Sequence, residues 1–181
     1  MAMGFCLFNN VAVAARHLVD QGFARVLVVD WDVHHGNGTQ HIFEEDADVF
    51  YFSVHQFPLY PGTGAKGETG RGPGLGATLN CPLPPGSGDE PFLDSLRDGL
   101  VPAAERFKPD FVLISAGFDA HRADPLANLE VSTEAFGEAT RIVADLAERF
   151  AAGRLVSVTE GGYDLVALAQ STLTHIEALL E

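Results

Sequence analysis

Short apolar runs alternate along this chain with longer amphipathic stretches, and the alternation predicts its elements. Residues 25–30, 49–55, 111–116 and 155–159 read as strands, being brief, rich in β-branched or aromatic side chains, and bounded by glycine or polar residues. Residues 77–81 read as a further short strand. Asn9 or Asn10 can cap a helix that runs to about Gln21 and stops at Gly22. A short helix is expected over 39–45, with longer ones over 91–107, 133–152 and 165–180. The stretch 56–76 carries too many glycines and prolines for either element and reads as a long loop, which inside a compact domain points to function or disorder. Strands alternating with helices imply an α/β domain: a mostly parallel sheet with helices on both faces. No internal repeat or domain boundary is visible.

Composition changes this picture little. A chain of 181 residues with 46% hydrophobic and 20% charged residues suits one globular domain. It has no long apolar segment and no signal-peptide pattern, so no membrane partner is expected and a cytoplasmic location is. Cys6 and Cys81 are too few and too far apart for a disulfide framework, and both are expected as buried thiols. A formal net charge of −14 argues against nucleic acid as a partner. It is compatible with a cationic substrate, although solubility alone explains it.

Candidate chemistry follows the apolar runs, because ligands of open α/β sheets bind beyond the carboxyl ends of the strands. After 25–30 comes Asp30-Trp31-Asp32-Val33-His34-His35-Gly36, where Asp32 and His34 share a face if the backbone stays extended. A carboxylate and an imidazole on one face make half of a zinc site. After 111–116 comes Gly117-Phe118-Asp119-Ala120-His121, and Asp119 would complete three ligands with an open position. After 155–159 comes Glu160-Gly161-Gly162-Tyr163, whose tyrosine could donate its hydroxyl to a developing oxyanion. The plainer readings are that Asp30 and Asp32 cap a turn and that Asp119 starts one. His55, which ends a strand near the site, and His121, which follows Asp119, are the less favoured alternative ligands, whereas His17, His41 and His175 read as structural or surface residues.

Taken in order, Gly-Phe-Cys-Leu-Phe-Asn-Asn (4–10), Asp-x-Asp-x-His-His-Gly (30–36), Tyr-Pro-Gly-Thr-Gly (60–64), Ser-Ala-Gly-Phe-Asp-Ala-His (115–121) and Glu-Gly-Gly-Tyr (160–163) resemble one family. It is the zinc-dependent histone deacetylase and acetylpolyamine amidohydrolase superfamily, and the wording is closer to its class II branch. The resemblance implies an arginase-like three-layer α/β fold and removal of an acetyl group from acetyl-lysine or an acetylated polyamine. It implies one zinc per chain on Asp32, His34 and Asp119, with Tyr163 as hydrogen-bond donor and Asp30 as the carboxylate that orients a catalytic histidine. Gly4, Phe5, Tyr60, Leu126 and Gly161 fall where the family lines its acyl-lysine tunnel. A structural potassium ion is implied near Asp30, Asp32 and His34, with Ser53 and Val54 beside it.

One departure stands out. The family carries a tandem histidine pair fewer than ten residues before its Gly-Phe-Cys motif, and here Met1 occupies that approach. The chain is therefore expected to be the C-terminal part of a deacetylase domain, to bind zinc with weak or no turnover, and to be marginally stable or to self-associate through exposed sheet surface. Two other readings are a non-catalytic binding or assembly module and a two-manganese ureohydrolase on the related arginase-like fold.

Overall fold

A computed structural model describes residues 3–181. Its centre is a five-stranded sheet in the order β3-β2-β1-β4-β5, formed by β1 (Val26–Asp30), β2 (Val49–Gln56), β3 (Thr78–Leu83), β4 (Phe111–Ala116) and β5 (Leu155–Thr159). Every pairing is parallel. The three longest helices are α1 (Asn10–Asp20), α5 (Thr133–Ala151) and α6 (Leu165–Leu179). Each starts on a side-chain cap: Asn9 accepts from the Ala12 amide, Ser132 from Ala135, and Asp164 from Val166 and Ala167.

The pleat sends alternate side chains into two cores. Leu27, Val29, Phe52 and Ile114 pack beneath α5 with Phe92, Leu96 and Leu100, while Val26, Val28, Val49 and Leu113 meet α1 on the other face. The expected three layers are present. β1 and β2 are buried on both faces, so they read as unbroken apolar runs in the sequence.

Three elements differ from expectation. The short helix α2 runs Asn37–Phe43, about two residues early, because Gly36 ends the loop after β1 sooner than the apolar pattern suggests. The single helix expected over 91–107 begins at Asp89 and contains a wide turn: α3 (Asp89–Asp94) passes through a π-helical segment, Ser95–Leu100, into α4 (Val101–Phe107). Pro102 lacks an N–H for the ordinary ladder, and the wider turn accommodates it. β3 extends to Leu83 through Pro82. The bonds from Tyr51 N to Ala77 O and from Phe57 N to Leu83 O turn the odd-numbered residues of β3 toward β2, which leaves Pro82 facing the free edge.

The cysteines are not both buried thiols: Cys6 is exposed and Cys81 half-covered. Cys6 belongs to a segment with Phe5, Leu7 and Phe8 that packs under no layer, and Cys81 lies on an edge strand. No helix among the described residues is long and apolar enough to cross a membrane.

Candidate metal centre

The chain builds β1, β2 and β3 outward in one direction, then crosses over to β4 and β5 on the other side of β1. The strand order therefore reverses between β1 and β4, and the diverging connections open a crevice at their carboxyl ends. Asp30 pairs in register with Ser115, and Ala116 with Thr159, so the ends of β1, β4 and β5 lie side by side. The loops beyond them are knit by backbone bonds from Trp31 N to Ser115 O, from Phe118 N to Gly161 O, and from Glu160 N to Ala116 O.

Asp32 and His34, beyond β1, meet Asp119, beyond β4: one potential ligand atom from each lies within 4.8 Å of the other two. They meet although β1 ends at Asp30, so the loop rather than a continued strand places them. His34 Nδ1 sits 3.1 Å from Asp32 Oδ1 and 3.0 Å from Asp119 Oδ2. The backbone holds both carboxylates in place. Val33 N–H donates to Asp119 Oδ1 at 2.8 Å, and Gly161 N–H donates to Asp32 Oδ2 at 2.9 Å. Two glycines are required by this packing, since a Cβ on Gly117 would strike Asp32 Oδ2 and one on Gly161 would strike Asp119 Oδ2.

The electrostatics of the cluster suit a cation. The hydrogen bonds to Asp119 and Asp32 push His34 up to about 10, while burial and the adjacent Asp32 raise Asp119 to about 7. Two carboxylates and one imidazole crowded in a half-buried crevice bind protons tightly because their lone pairs converge. A divalent ion satisfies the same lone pairs, and an imidazole with two carboxylates is a donor set zinc accepts. The residues fit the metal.

Asp30 is buried, and Tyr51 donates its hydroxyl to Asp30 Oδ2 at 2.9 Å. Burial, then the neighbouring Asp32, raises the Asp30 carboxyl well above its ordinary range. His55 and His35 do not join the ligands. His55 bridges Ser53 Oγ and Gly64 O, and His35 bridges Thr63 and Gln40. Together they anchor the glycine-rich loop to the sheet, which explains why so long a loop is ordered. His121 turns away to Thr133 Oγ1 and the Ala123 amide.

Tyr163 is partly exposed beside the cluster, where burial and the charges of Asp119, Asp32 and Asp124 push its phenol up to about 12. Its ring meets Phe5 edge-on at 6.3 Å, and Tyr60 meets His34 in the same way at 6.4 Å. Leu126 is exposed on the loop after β4. Sequence reading assigned no role to Asp124, which ties this rim together. Its Oδ2 accepts from Tyr163 N at 2.7 Å and its Oδ1 accepts from Leu126 N at 3.0 Å. The Asp-Pro at 124–125 signals a turn, but nothing local shows that the carboxylate reaches a loop 39 residues away.

The histone deacetylase domain family matches residues 1–179, and the chain belongs to that family. Histone deacetylase 14, chloroplastic, of Arabidopsis thaliana is 49% identical over 98% of this chain and 42% of its own length. A probable deacetylase of Archaeoglobus fulgidus is 46% identical over 97% of this chain and 49% of its own. The crystal structure of the HDA15 HD domain superposes with a TM-score of 0.94 at 44% identity, covering 99% of this chain and 50% of that one. The chain thus spans about half the length of these relatives.

Proposed function

We propose that this chain carries the metal-binding and oxyanion-binding half of a zinc-dependent deacetylase site, acting on an acetylated amine. The observation that carries the reading is the convergence of Asp32, His34 and Asp119 at the reversal of strand order, in a chain of the histone deacetylase family. These three residues would hold one zinc. When bound, the metal supplies Lewis acidity toward the amide carbonyl and lowers the pKa of water. Tyr163, held protonated by burial and by the surrounding carboxylates, donates a hydrogen bond to the carbonyl oxygen as negative charge develops there. Gly4, Phe5, Tyr60, Leu126 and Gly161 would wall the channel for an acetyl-lysine or acetylpolyamine arm. The acidic chain favours such cationic molecules over nucleic acid. A potassium ion would draw on Asp30, Asp32 and His34 near Ser53 and Val54, and the register that sets Ser53 opposite Asp30 supports this. A cytoplasmic location belongs to the same proposal.

The family assigns proton-transfer work to tandem histidines ahead of its Gly-Phe-Cys motif. The only adjacent pair is His34-His35, of which one joins the cluster and the other anchors the loop. We therefore read the chain as competent for metal and impaired in turnover. A metal titration followed by an acetyl-lysine peptide assay tests both parts. One zinc per chain with turnover roughly 10² to 10⁴ below that of intact relatives is expected. Two manganese ions per chain would favour the ureohydrolase reading, and failure to bind zinc would reduce the chain to a binding module.

A further inference from the structure

His175 lies on the buried face of α6 and stands outside the metal cluster. Its hydrogen bonds fix which nitrogen carries the proton. Thr140 Oγ1 donates its one hydrogen to Phe136 O at 2.7 Å, so at 2.6 Å it can only accept from His175 Nδ1. Nε2 is then the acceptor, and it receives the hydroxyl of Ser157 at 2.9 Å. Burial lowers the imidazole to about 4, which keeps this neutral ring the resident form at neutral pH.

The ring meets two aromatic side chains edge-on. Trp31 and Phe118 each approach it at a centroid distance of 5.7 Å, with interplanar angles of 84° and 65°. Both are buried, and each stands one position before a member of the cluster, Trp31 before Asp32 and Phe118 before Asp119. The indole N–H of Trp31 finds no acceptor among the described residues, so packing rather than a polar bond sets the depth of that ring. Trp31 and Asp32 share a planar peptide unit, as do Phe118 and Asp119, so a change in how deep either ring sits moves the carboxylate beside it. The helix that carries His175 also begins beside Tyr163, on the Asp164 cap. One imidazole thus lies under all three loops of the site.

We propose that His175 is a positioning residue of the metal centre, its ring setting the spacing of Asp32 and Asp119 through Trp31 and Phe118. The proposal rests on the deacetylase reading for the metal and on these contacts for the placement. A site of this kind needs its ligands held to within about 0.5 Å, which supporting side chains achieve by locking their neighbours.

Two substitutions separate the ring from its hydrogen bonds. His175→Phe keeps an aromatic ring against Trp31 and Phe118 but bonds to neither hydroxyl, whereas His175→Gln keeps a polar end toward Thr140 and Ser157 but has no ring. Both are compared with the parent chain in two measurements. One is amide hydrogen exchange in the metal-free chain at Val33 and Gly161, whose N–H groups hold Asp119 and Asp32. The other is zinc affinity by chelator competition. His175→Gln is expected to speed exchange at both amides and to weaken zinc binding, each at least about tenfold, while His175→Phe stays within about threefold of the parent in both. The reverse order, equal losses in the two variants, or no loss in either overturns the placement. If either variant fails to fold, Phe118→Leu removes the same contact from the side of the Asp119 loop: the same two losses uphold the placement, and values equal to those of the parent overturn it. A parent chain that binds no zinc defeats the deacetylase reading, and the exchange measurement then decides the placement by itself.

Discussion

At the scale of single residues, backbone amides and glycines place the metal cluster as much as its ligands do. Gly161 serves twice, donating its N–H to Asp32 and leaving the space that Asp119 occupies. Gly161→Ala should therefore weaken zinc binding by about 10- to 100-fold, in the range found when a ligand loses its supporting partner. A competition titration against a chromogenic chelator measures this, and affinity equal to that of the parent chain would contradict it. Asp124 supports the rim in a comparable way. Asp124→Ala leaves the Tyr163 and Leu126 amides unpaired and should cost roughly 1–3 kcal/mol in denaturant unfolding, with faster exchange at the Tyr163 amide. The residue types of the cluster were legible because carboxylate and imidazole at short spacing after an apolar run is a local pattern. Tyr51 as the partner of Asp30 was not, because that contact forms between neighbouring strands whose register no local pattern states.

At the scale of elements, one histidine of α6 bonds to both the neighbouring helix and the sheet. His175 is buried, meeting Thr140 Oγ1 of α5 through Nδ1 at 2.6 Å and Ser157 Oγ of β5 through Nε2 at 2.9 Å. Burial lowers it to about 4. Its pKa in the folded chain lies below the unfolded value of about 6.5, so the stabilisation is full above that value. It is lost as pH falls from about 6.5 toward 4, because the unfolded chain takes up a proton that the folded chain refuses. The loss attributable to this group is on the order of 3 kcal/mol once the pH is well below 4 and about 2 kcal/mol at pH 5. Chemical unfolding at pH 7 and pH 5 should show it, and His175→Gln should flatten the dependence; an unchanged slope would dismiss the account. Element types were readable from periodicity, whereas the π-helical turn before Pro102 and the extension of β3 through Pro82 were not. A proline in a sequence states which donor is missing, but only the neighbouring elements decide whether that costs anything.

At the scale of the whole molecule, the metal and the fold should be thermodynamically coupled. The ligands lie 2 and 87 residues apart along the chain, counted from Asp32, so an unfolded chain cannot present them together. Zinc at about 100 times its dissociation constant should then stabilise the fold by about 2.7 kcal/mol, reversibly by chelator. Calorimetry with and without metal measures this, and an unchanged unfolding temperature would separate the cluster from the metal. The sequence by itself determined the alternation of strands and helices, the strand ends where chemistry sits, and the family. Each of these depends on residue types a few positions apart, or on ordered motifs that need no coordinates. Tertiary structure decided the strand order that opens the crevice between β1 and β4, the hold of Asp124 on Tyr163, and the pairing of Tyr51 with Asp30. These depend on which distant segments become neighbours, and that is settled by packing the whole chain at once.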